Sequence, residues 1–152
     1  MHRIMFVCHG NICRSPMAEY VMKDLVRKRG REGDVTVDSA ATSTEEIGNP
    51  VHRGTRRVLR EHGVPCGDHR ARQITHADYD DYDLIVGMDE ANMRSMRRVF
   101  IGDPQGKLRK LLEFAGSGRD VADPWYTGDF ETTYDDVVSG CEGLLEQLCG
   151  PE

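Results

Sequence analysis

The run Val7-Cys8-His9-Gly10-Asn11-Ile12-Cys13-Arg14-Ser15-Pro16 places a thiol and a guanidinium in one short loop. Backbone N–H groups of a loop that leads from a strand into a helix form a cradle for an anion. Gly10 permits backbone geometry that a Cβ would obstruct, and Asn11 tolerates a left-handed conformation. Arg14 can donate two N–H groups to two phosphate oxygens. The run therefore predicts a phosphate-binding loop formed by His9, Gly10, Asn11, Ile12, Cys13, Arg14 and Ser15.

Cys8 is the candidate nucleophile in this loop. Loop amides, a helix N-terminus and Arg14 favour the thiolate form of Cys8, and Ser15 can donate a further hydrogen bond to its sulfur. A thiolate, an oxyanion cradle and a bidentate cation are the groups that in-line attack on a phosphoryl group requires. The spacing of Cys8 and Arg14 alone arises often by chance, so the prediction rests on the whole run between a strand and a helix.

Two other uses of the loop cysteines need weighing. Cys8, His9 and Cys13 are metal-ligand types, but no second ligand pair follows, so we expect no metal and no cofactor. The Walker pattern with its lysine is absent, which argues against a nucleotide.

A thiolate is also the form that peroxide attacks, and Cys13 is near enough along the loop to form a disulfide with Cys8. We therefore expect a redox pair; the alternative is that Cys13 only fills space.

Strand and helix patterns alternate along the chain. Apolar runs predict strands at residues 3–8, 35–40 and 84–88, and helical spacing predicts helices from Pro16 toward Gly30 and over 51–62, 89–100 and 130–148. Residues 107–114 are ambiguous and fit a fourth strand running into a helical turn. The alternation predicts an α/β fold whose parallel sheet is covered on both faces, with ligands at the carboxyl ends of the strands. The loop after the first strand lies there.

The run from Val7 to Pro16 resembles the signature of the low-molecular-weight protein tyrosine phosphatases. The resemblance continues through nearly the whole chain, in Asp38-Ser39-Ala40-Ala41-Thr42-Ser43, Gly48-Asn49-Pro50, Ala71-Arg72-Gln73-Ile74, Met88-Asp89-Glu90 and Asp123-Pro124-Trp125-Tyr126. It implies one domain over residues 1–152, with a four-stranded parallel sheet flanked by helices on both faces in a flavodoxin-like three-layer sandwich. It also implies hydrolysis of protein phosphotyrosine through a cysteinyl phosphate at Cys8, with Arg14 binding phosphate and Asp123 as general acid.

Asp123 carries little local signal, because Asp-Pro usually marks only a turn. The reaction, however, needs a proton donor for the leaving phenolate. Pro124 and Trp125 would stiffen a loop that carries such a donor. The same Asp, once deprotonated, would activate the water that hydrolyses the intermediate.

The expected substrate slot consists of Ile12, Glu45, Trp125 and Tyr126. Apolar walls suit a phosphotyrosine ring, and in the related protein-arginine phosphatases the Ile12 position is typically threonine. Glu45 stands where eukaryotic members often carry an aromatic residue, so one wall is missing or acidic. The sister arsenate reductases add a cysteine pair in mid-chain, whereas no cysteine lies between Cys66 and Cys141. Arginine phosphatase and arsenate reductase remain the alternatives within the fold.

Four residues are expected to support the loop: Asn11, Ser15, Ser39 and His69. Ser39 is predicted to end the second strand and either brace Asn11 or act as a plain strand-end serine. The resemblance makes His69 structural. Arg56, Arg57 and Arg60 are most simply a solvated helix face.

Composition limits the remaining possibilities. The net charge of −6 argues against a general nucleic-acid binder, and the odd number of cysteines, five, argues against a disulfide framework. Without a signal-peptide core or membrane span, we expect a cytoplasmic protein with no membrane partner, acting as a monomer or weak homodimer. Phosphotyrosine proteins or peptides are the expected partners, with inorganic phosphate as product. A silent phosphopeptide-binding module and a redox sensor are the alternatives of another class.

Overall fold

A computed structural model describes residues 1–151 of the chain. Four strands form one parallel sheet in the order β2-β1-β3-β4, with β1 at His2–Cys8, β2 at Val35–Ala41, β3 at Leu84–Gly87 and β4 at Leu108–Lys110. The last five residues of β1 are all buried, because helices cover both faces of the sheet. The predicted parallel sheet is confirmed. The segment 107–114, which the sequence leaves ambiguous, contains β4 and the start of a 3-10 helix at Leu111–Ala115.

Helices pack on both faces of this sheet. One buried cluster joins the sheet to α1 (Arg14–Lys28), α2 (Arg53–Glu61) and α6 (Phe130–Cys149). A second cluster, on the opposite face, joins it to α3 (Asp78–Asp81) and α4 (Glu90–Val99). The architecture is the expected three-layer sandwich, with the short helix α5 (Pro124–Thr127) leading into α6. Across residues 1–151 no helix combines the length and the apolar character needed to cross a membrane.

Several element boundaries differ from the sequence prediction. Helix α1 begins at Arg14, so Pro16 is the third helical residue rather than the first. The first N–H groups of a helix have no intrahelical partner, so proline is tolerated at either position. Helix α2 begins at Arg53 rather than at residue 51, because His52 caps it by accepting the N–H of Gly54 at 3.0 Å. The short helices α3 and α5 were outside the sequence prediction.

Helix α6 lies directly against the 3-10 helix. A Cβ at Gly143 would lie 2.0 Å from the carbonyl oxygen of Phe114, and one at Gly140 would lie 2.4 Å from Cγ of Leu111. The close approach of the two backbones therefore excludes a Cβ at Gly143, and the base of the Leu111 side chain excludes one at Gly140. This contact holds the chain that leaves β4 near the carboxyl edge of the sheet, on the way to Asp123.

Candidate active site

The loop between β1 and α1 folds around the sulfur of Cys8. Asn11 has a φ of 59°, a left-handed conformation that few residues besides glycine adopt readily. The N–H groups of Asn11 and Ser15 donate to Cys8 Sγ at 3.3 and 3.4 Å, and Ser15 Oγ lies 3.0 Å from the same sulfur. Donors and a helix N-terminus placed in this way stabilise a thiolate.

A buried hydrogen-bond network holds Asn11 in place. Its Nδ2 donates to Oγ of Ser15 at 2.8 Å and to Oγ of Ser39 at 3.0 Å, and its Oδ1 lies 2.7 Å from Nε2 of His69. The Ser39 hydroxyl donates in turn to Glu19 at 2.6 Å. Ser39 lies within β2 rather than at its end as predicted, because the strand continues to Ala41. The network links the loop to α1, to β2 and to the segment before α3.

His69 is a neutral member of this network. Burial holds the pKa of His69 below its ordinary value, against the opposing effect of nearby Glu19. The ring is largely enclosed, with Nδ1 3.5 Å from a Glu19 oxygen. Glu19 itself is 4% exposed although it lies on a helix. The sequence does not predict this burial, because an isolated glutamate in a helical pattern normally faces water.

Arg14 is a buried cation held by three acceptors. Its Nη1 donates to Asp89 at 2.7 Å and to the Val121 carbonyl at 2.9 Å, and its Nη2 donates to Asp123 at 3.4 Å. Burial alone would lower the pKa of Arg14, but the negative charges of Cys8, Asp89 and Asp123 raise it. The guanidinium therefore stays charged although Arg14 is only 2% exposed. The sequence predicts no role for Asp89, because its contact with Arg14 joins residues far apart in the chain.

Asp123 is the N-cap of α5. One carboxylate oxygen accepts the N–H of Trp125 at 3.1 Å, and the other faces Arg14. Pro124 occupies the first helical position, where its fixed φ suits a helix start. The Asp-Pro pair therefore begins a helix rather than marking only a turn.

The side chains of this region open into one cavity of about 110 Å³. Its walls are Cys8, His9, Gly10, Ile12, Cys13, Arg14, Glu45, Glu46, Asp123, Trp125 and Tyr126. All four residues predicted for the substrate slot are among them. Trp125 and Tyr126 are 58% and 83% exposed, so their rings are open to a ligand. Asn11, Ser15, Ser39 and His69 lie outside this lining.

The cavity rim is acidic at Glu45. Its carboxylate lies 2.9 Å from Nε2 of His9, and both side chains are exposed. Glu46 lines the same cavity, with its Cγ 3.4 Å from the position that a Cβ on Gly10 would take. The sequence pattern assigns Glu46 no role, although its position next to Glu45 is a signal for one.

Cys13 lines the cavity beside the candidate nucleophile. Burial, followed by the charges of Cys8 and Asp123, raises the pKa of Cys13 to about 12, so it remains a thiol at neutral pH. Both cysteines are free. Within residues 1–151 no group of three or more His, Cys, Asp or Glu side chains is placed to hold a metal ion.

Nearly the whole chain is similar to proteins of one known family. Residues 3–150 match the model of a family described as low molecular weight phosphotyrosine protein phosphatase. The chain is 41% identical over 150 residues to the low molecular weight protein-tyrosine-phosphatase YfkJ of Bacillus subtilis, covering 97% of this chain and 96% of that protein. It is 40% identical over 148 residues to PtpA of Staphylococcus aureus strain MRSA252, with 95% and 92% coverage.

Solved structures show the same similarity in three dimensions. The crystal structure of YfkJ from Bacillus subtilis superposes with a TM-score of 0.93 at 42% identity, covering 97% of this chain and 94% of that one. The crystal structure of SP-PTP, a low molecular weight protein tyrosine phosphatase from Streptococcus pyogenes, gives 0.88 at 40% identity, with 97% and 93% coverage.

Proposed function

This chain belongs to the low-molecular-weight phosphotyrosine protein phosphatase family, and we propose that Cys8, Arg14 and Asp123 carry out its reaction. The chain is a protein-tyrosine-phosphatase with a cysteine-based mechanism. Its substrates are phosphotyrosine residues and its product is inorganic phosphate. One observation carries the residue assignment: the Cys8 sulfur, the Arg14 guanidinium and the Asp123 carboxylate line the same cavity.

In the first step Cys8 Sγ attacks phosphorus and the bond from phosphorus to the tyrosine oxygen breaks. Asp123 gives its proton to that oxygen, so tyrosine leaves as the neutral phenol and phosphate stays on sulfur. Because Asp89 and Val121 hold Nη1 of Arg14, the plane of the guanidinium is fixed before substrate arrives. A preorganised cation of this kind stabilises the charge of the transferring phosphoryl group.

In the second step Asp123, now a carboxylate, takes a proton from water. The resulting hydroxide attacks phosphorus, the sulfur–phosphorus bond breaks, and Cys8 returns as a thiolate. Inorganic phosphate leaves when the hydrogen bonds from Arg14 to two of its oxygens break. Asp123 regains its proton and is ready to act as the acid again.

The remaining site residues bind or support. The segment His9, Gly10, Asn11, Ile12, Cys13 and Ser15 supplies the amides around phosphate, and Asn11, Ser15, Ser39 and His69 brace it. Ile12, Trp125 and Tyr126 form the walls around the aromatic ring, with Glu45 as the acidic rim. A phosphoserine side chain is too short to bring its phosphorus to the base of a slot sized for an aryl ring.

Several wider properties belong to the same proposal. The chain forms a single domain over residues 1–152, of which Glu152 lies outside the described residues. It acts in the cytoplasm as a monomer or weak homodimer, without a cofactor and without nucleic-acid or membrane partners; the net charge of −6 supports the exclusion of nucleic acid. Cys8 and Cys13 form a reversible disulfide under oxidation.

Substitution of the nucleophile tests the assignment. Cys8→Ser should abolish hydrolysis of p-nitrophenyl phosphate while binding of vanadate stays measurable, because the cradle and Arg14 remain. Arg14→Lys should lose most activity, since a point charge cannot replace the planar fork. Substantial turnover by purified Cys8→Ser protein would contradict the mechanism. A parent protein that binds phosphopeptides without hydrolysing p-nitrophenyl phosphate would instead be a silent binding module.

A further inference from the structure

A basic groove of about 570 Å³ lies beside the active-site cavity. Its lining comes from the start and exposed side of α2 and from the junction between α5 and α6. The residues are His52, Arg53, Gly54, Arg56, Arg57, Arg60, Gly128 and Phe130. The ring of Phe130 approaches α2 so closely that a Cβ on Gly54 would lie 2.5 Å from it. A simple solvated helix face, which the sequence favours for Arg56, Arg57 and Arg60, needs neither a concave shape nor an aromatic wall.

The arginines of the groove carry surplus positive charge. Arg57 lies 3.7 Å from Glu61, a loose pair, and Arg56 donates to the Val51 carbonyl at 3.0 Å. Arg53 and Arg60 are exposed and form no ion pair with any residue that the structure describes. In a chain of net charge −6, two unpaired guanidinium groups beside two further arginines form a local positive field that attracts an anion.

Acidic residues near the groove are engaged elsewhere. The carboxylate of Asp129 caps α6, accepting the N–H and hydroxyl of Thr132 at 3.0 and 2.7 Å. Glu131 lies 2.6 Å from Nε2 of His62. Neither carboxylate neutralises Arg53 or Arg60, so the positive field of the groove is available to a ligand.

A row of three aromatic rings connects the groove to the active site. Trp125 lines the active-site cavity, and its ring meets the ring of His52 edge-on at 5.7 Å. His52 is stacked on Phe130 at 5.1 Å, and both line the groove. Burial, and then Arg53, lowers the pKa of His52, so at neutral pH the ring is uncharged. Laid end to end, the two centroid distances from Trp125 to Phe130 equal the length of about three residues of extended polypeptide, so a peptide whose phosphotyrosine ring contacts Trp125 reaches the groove about three residues away.

We propose that this groove binds anionic side chains, carboxylates or phosphates, that lie about three residues from the phosphotyrosine in the same substrate polypeptide. The proposal rests on the proposed function, because it requires phosphotyrosine to occupy the cavity at Cys8. Glu45 and Glu46 line that cavity and repel an anionic flank, whereas the arginines beyond Trp125 attract it. This difference in charge directs the acidic part of the substrate across the aromatic row.

The test compares phosphotyrosine peptides that differ only in their flanks. Asp and Glu, or phosphoserine, or neutral Gln and Asn are placed around the third residue, on the N-terminal side in one set and on the C-terminal side in another. Phosphate release gives kcat/KM for each peptide at low and high ionic strength. p-Nitrophenyl phosphate, which reaches only the Cys8 cavity, serves as the substrate without flanks.

Two double variants with equal charge change are compared with the parent. Arg53→Glu with Arg60→Glu reverses the charge at two positions of the groove. Arg94→Glu with Arg97→Glu is the control, because these exposed arginines of α4 lie on the opposite face of the sheet. We expect the parent to prefer anionic peptides by about tenfold at low salt on one flank, as several exposed ion pairs together allow. High salt should reduce that preference. The groove variant should lose it while hydrolysing p-nitrophenyl phosphate within about twofold of the parent.

The outcomes separate the groove from the catalytic assignment. Suppose that neutral and anionic peptides give equal kcat/KM on both flanks while p-nitrophenyl phosphate is hydrolysed normally. That result would contradict anion binding by the groove and leave the catalytic assignment intact. A preference that survives in the groove variant, or that the α4 variant loses equally, would also contradict anion binding by the groove. Failure of the parent protein to hydrolyse p-nitrophenyl phosphate would overturn the proposed function and the groove together. A preference for phosphoserine flanks but not for Asp and Glu would identify phosphate as the anion bound.

Discussion

A carboxylate oxygen of Asp89 lies 2.7 Å from Nη1 of Arg14, although these residues begin helices on opposite faces of the sheet. Arg14 is the first residue of α1, and Asp89 is the N-cap of α4, where it accepts the N–H of Asn92 at 2.8 Å. The two helices start next to each other because β1 and β3 are parallel neighbours whose carboxyl ends meet at the same edge. Asp89 therefore orients the guanidinium and caps a helix at once.

Two substitutions at Asp89 separate these roles. Asp89→Asn keeps a good N-cap but removes the negative charge facing Arg14, so kcat/KM for p-nitrophenyl phosphate should fall about tenfold with little change in stability. Asp89→Ala should show the same kinetic loss and unfold more easily, by about 1 kcal/mol in urea. Unchanged kcat/KM in Asp89→Asn would show that the negative charge of Asp89 is not needed to orient the guanidinium.

Asp123 is expected to act as the general acid. Asp123→Ala should slow aryl phosphate hydrolysis by about a hundredfold or more, and the loss should grow as the leaving group becomes more basic. Asp123→Asn is the matched variant, because it retains a side-chain cap for α5 and cannot donate a carboxyl proton. A series of aryl phosphates measures the dependence on the leaving group. If the variants keep the slope of the parent, Asp123 is not the proton donor.

Ile12 is expected to favour phosphotyrosine over phosphoarginine. It is buried in the cavity wall, where an apolar side chain suits an aromatic ring better than a guanidino group. Ile12→Thr should shift the ratio of kcat/KM toward phosphoarginine peptides, and phosphoserine should remain poorer than phosphotyrosine by orders of magnitude. Equal efficiency of the parent on phosphotyrosine and phosphoarginine peptides would refute this role.

Cys13 is expected to rescue the enzyme after oxidation. The Cys8 thiolate attacks one oxygen of peroxide, which gives a sulfenic acid and releases hydroxide. The Cys13 thiol then attacks the Cys8 sulfur, which forms the disulfide and releases water. With its pKa raised to about 12, Cys13 is itself a poor target for peroxide at neutral pH. Cys13→Ser should keep most activity yet lose recovery by dithiothreitol, and bound phosphate should protect the parent. Full recovery of that variant would contradict the prediction, as would oxidised parent protein without a Cys8–Cys13 bond by mass spectrometry.

Gly143 is expected to limit the packing of α6. Gly143→Ala improves helix propensity but places a Cβ against the Phe114 carbonyl, so the free energy of unfolding should fall by about 1–3 kcal/mol. Gly118→Ala is the control, since a Cβ there meets nothing within 4 Å. Urea denaturation measures both. A Gly143→Ala protein as stable as the control would show that the two backbones separate at little cost.

The loop chemistry could be predicted because its groups are neighbours in the chain. Cys8, Arg14 and the residues between them form one local pattern. The apolar run of β1 indicates that helices cover both faces of the sheet. The contact of Arg14 with Asp89 is different, since it depends on which strands are neighbours in the sheet. Glu19 is a similar case, because its burial depends on a serine of β2 lying beside α1.

The predicted helix boundaries differ from the structure where one local sequence signal is compatible with two conformations. Asp123-Pro124 fits a turn and also fits an N-cap followed by proline at the first helical position. Four residues are too few for periodicity to decide between them. Pro16 was assigned to the first helical position for the same reason, since several positions in the first turn accept proline.

The bond between the Trp125 N–H and Asp123 joins the aromatic wall to the proton donor through one turn of backbone. A substrate whose ring pushes Trp125 aside therefore also moves the carboxyl away from the leaving oxygen. An ill-fitting ring is then penalised twice, by weaker contact and by slower protonation. Discrimination among substrates should thus be visible in the turnover number and not only in the Michaelis constant, so that a poor substrate can saturate the enzyme and still react slowly.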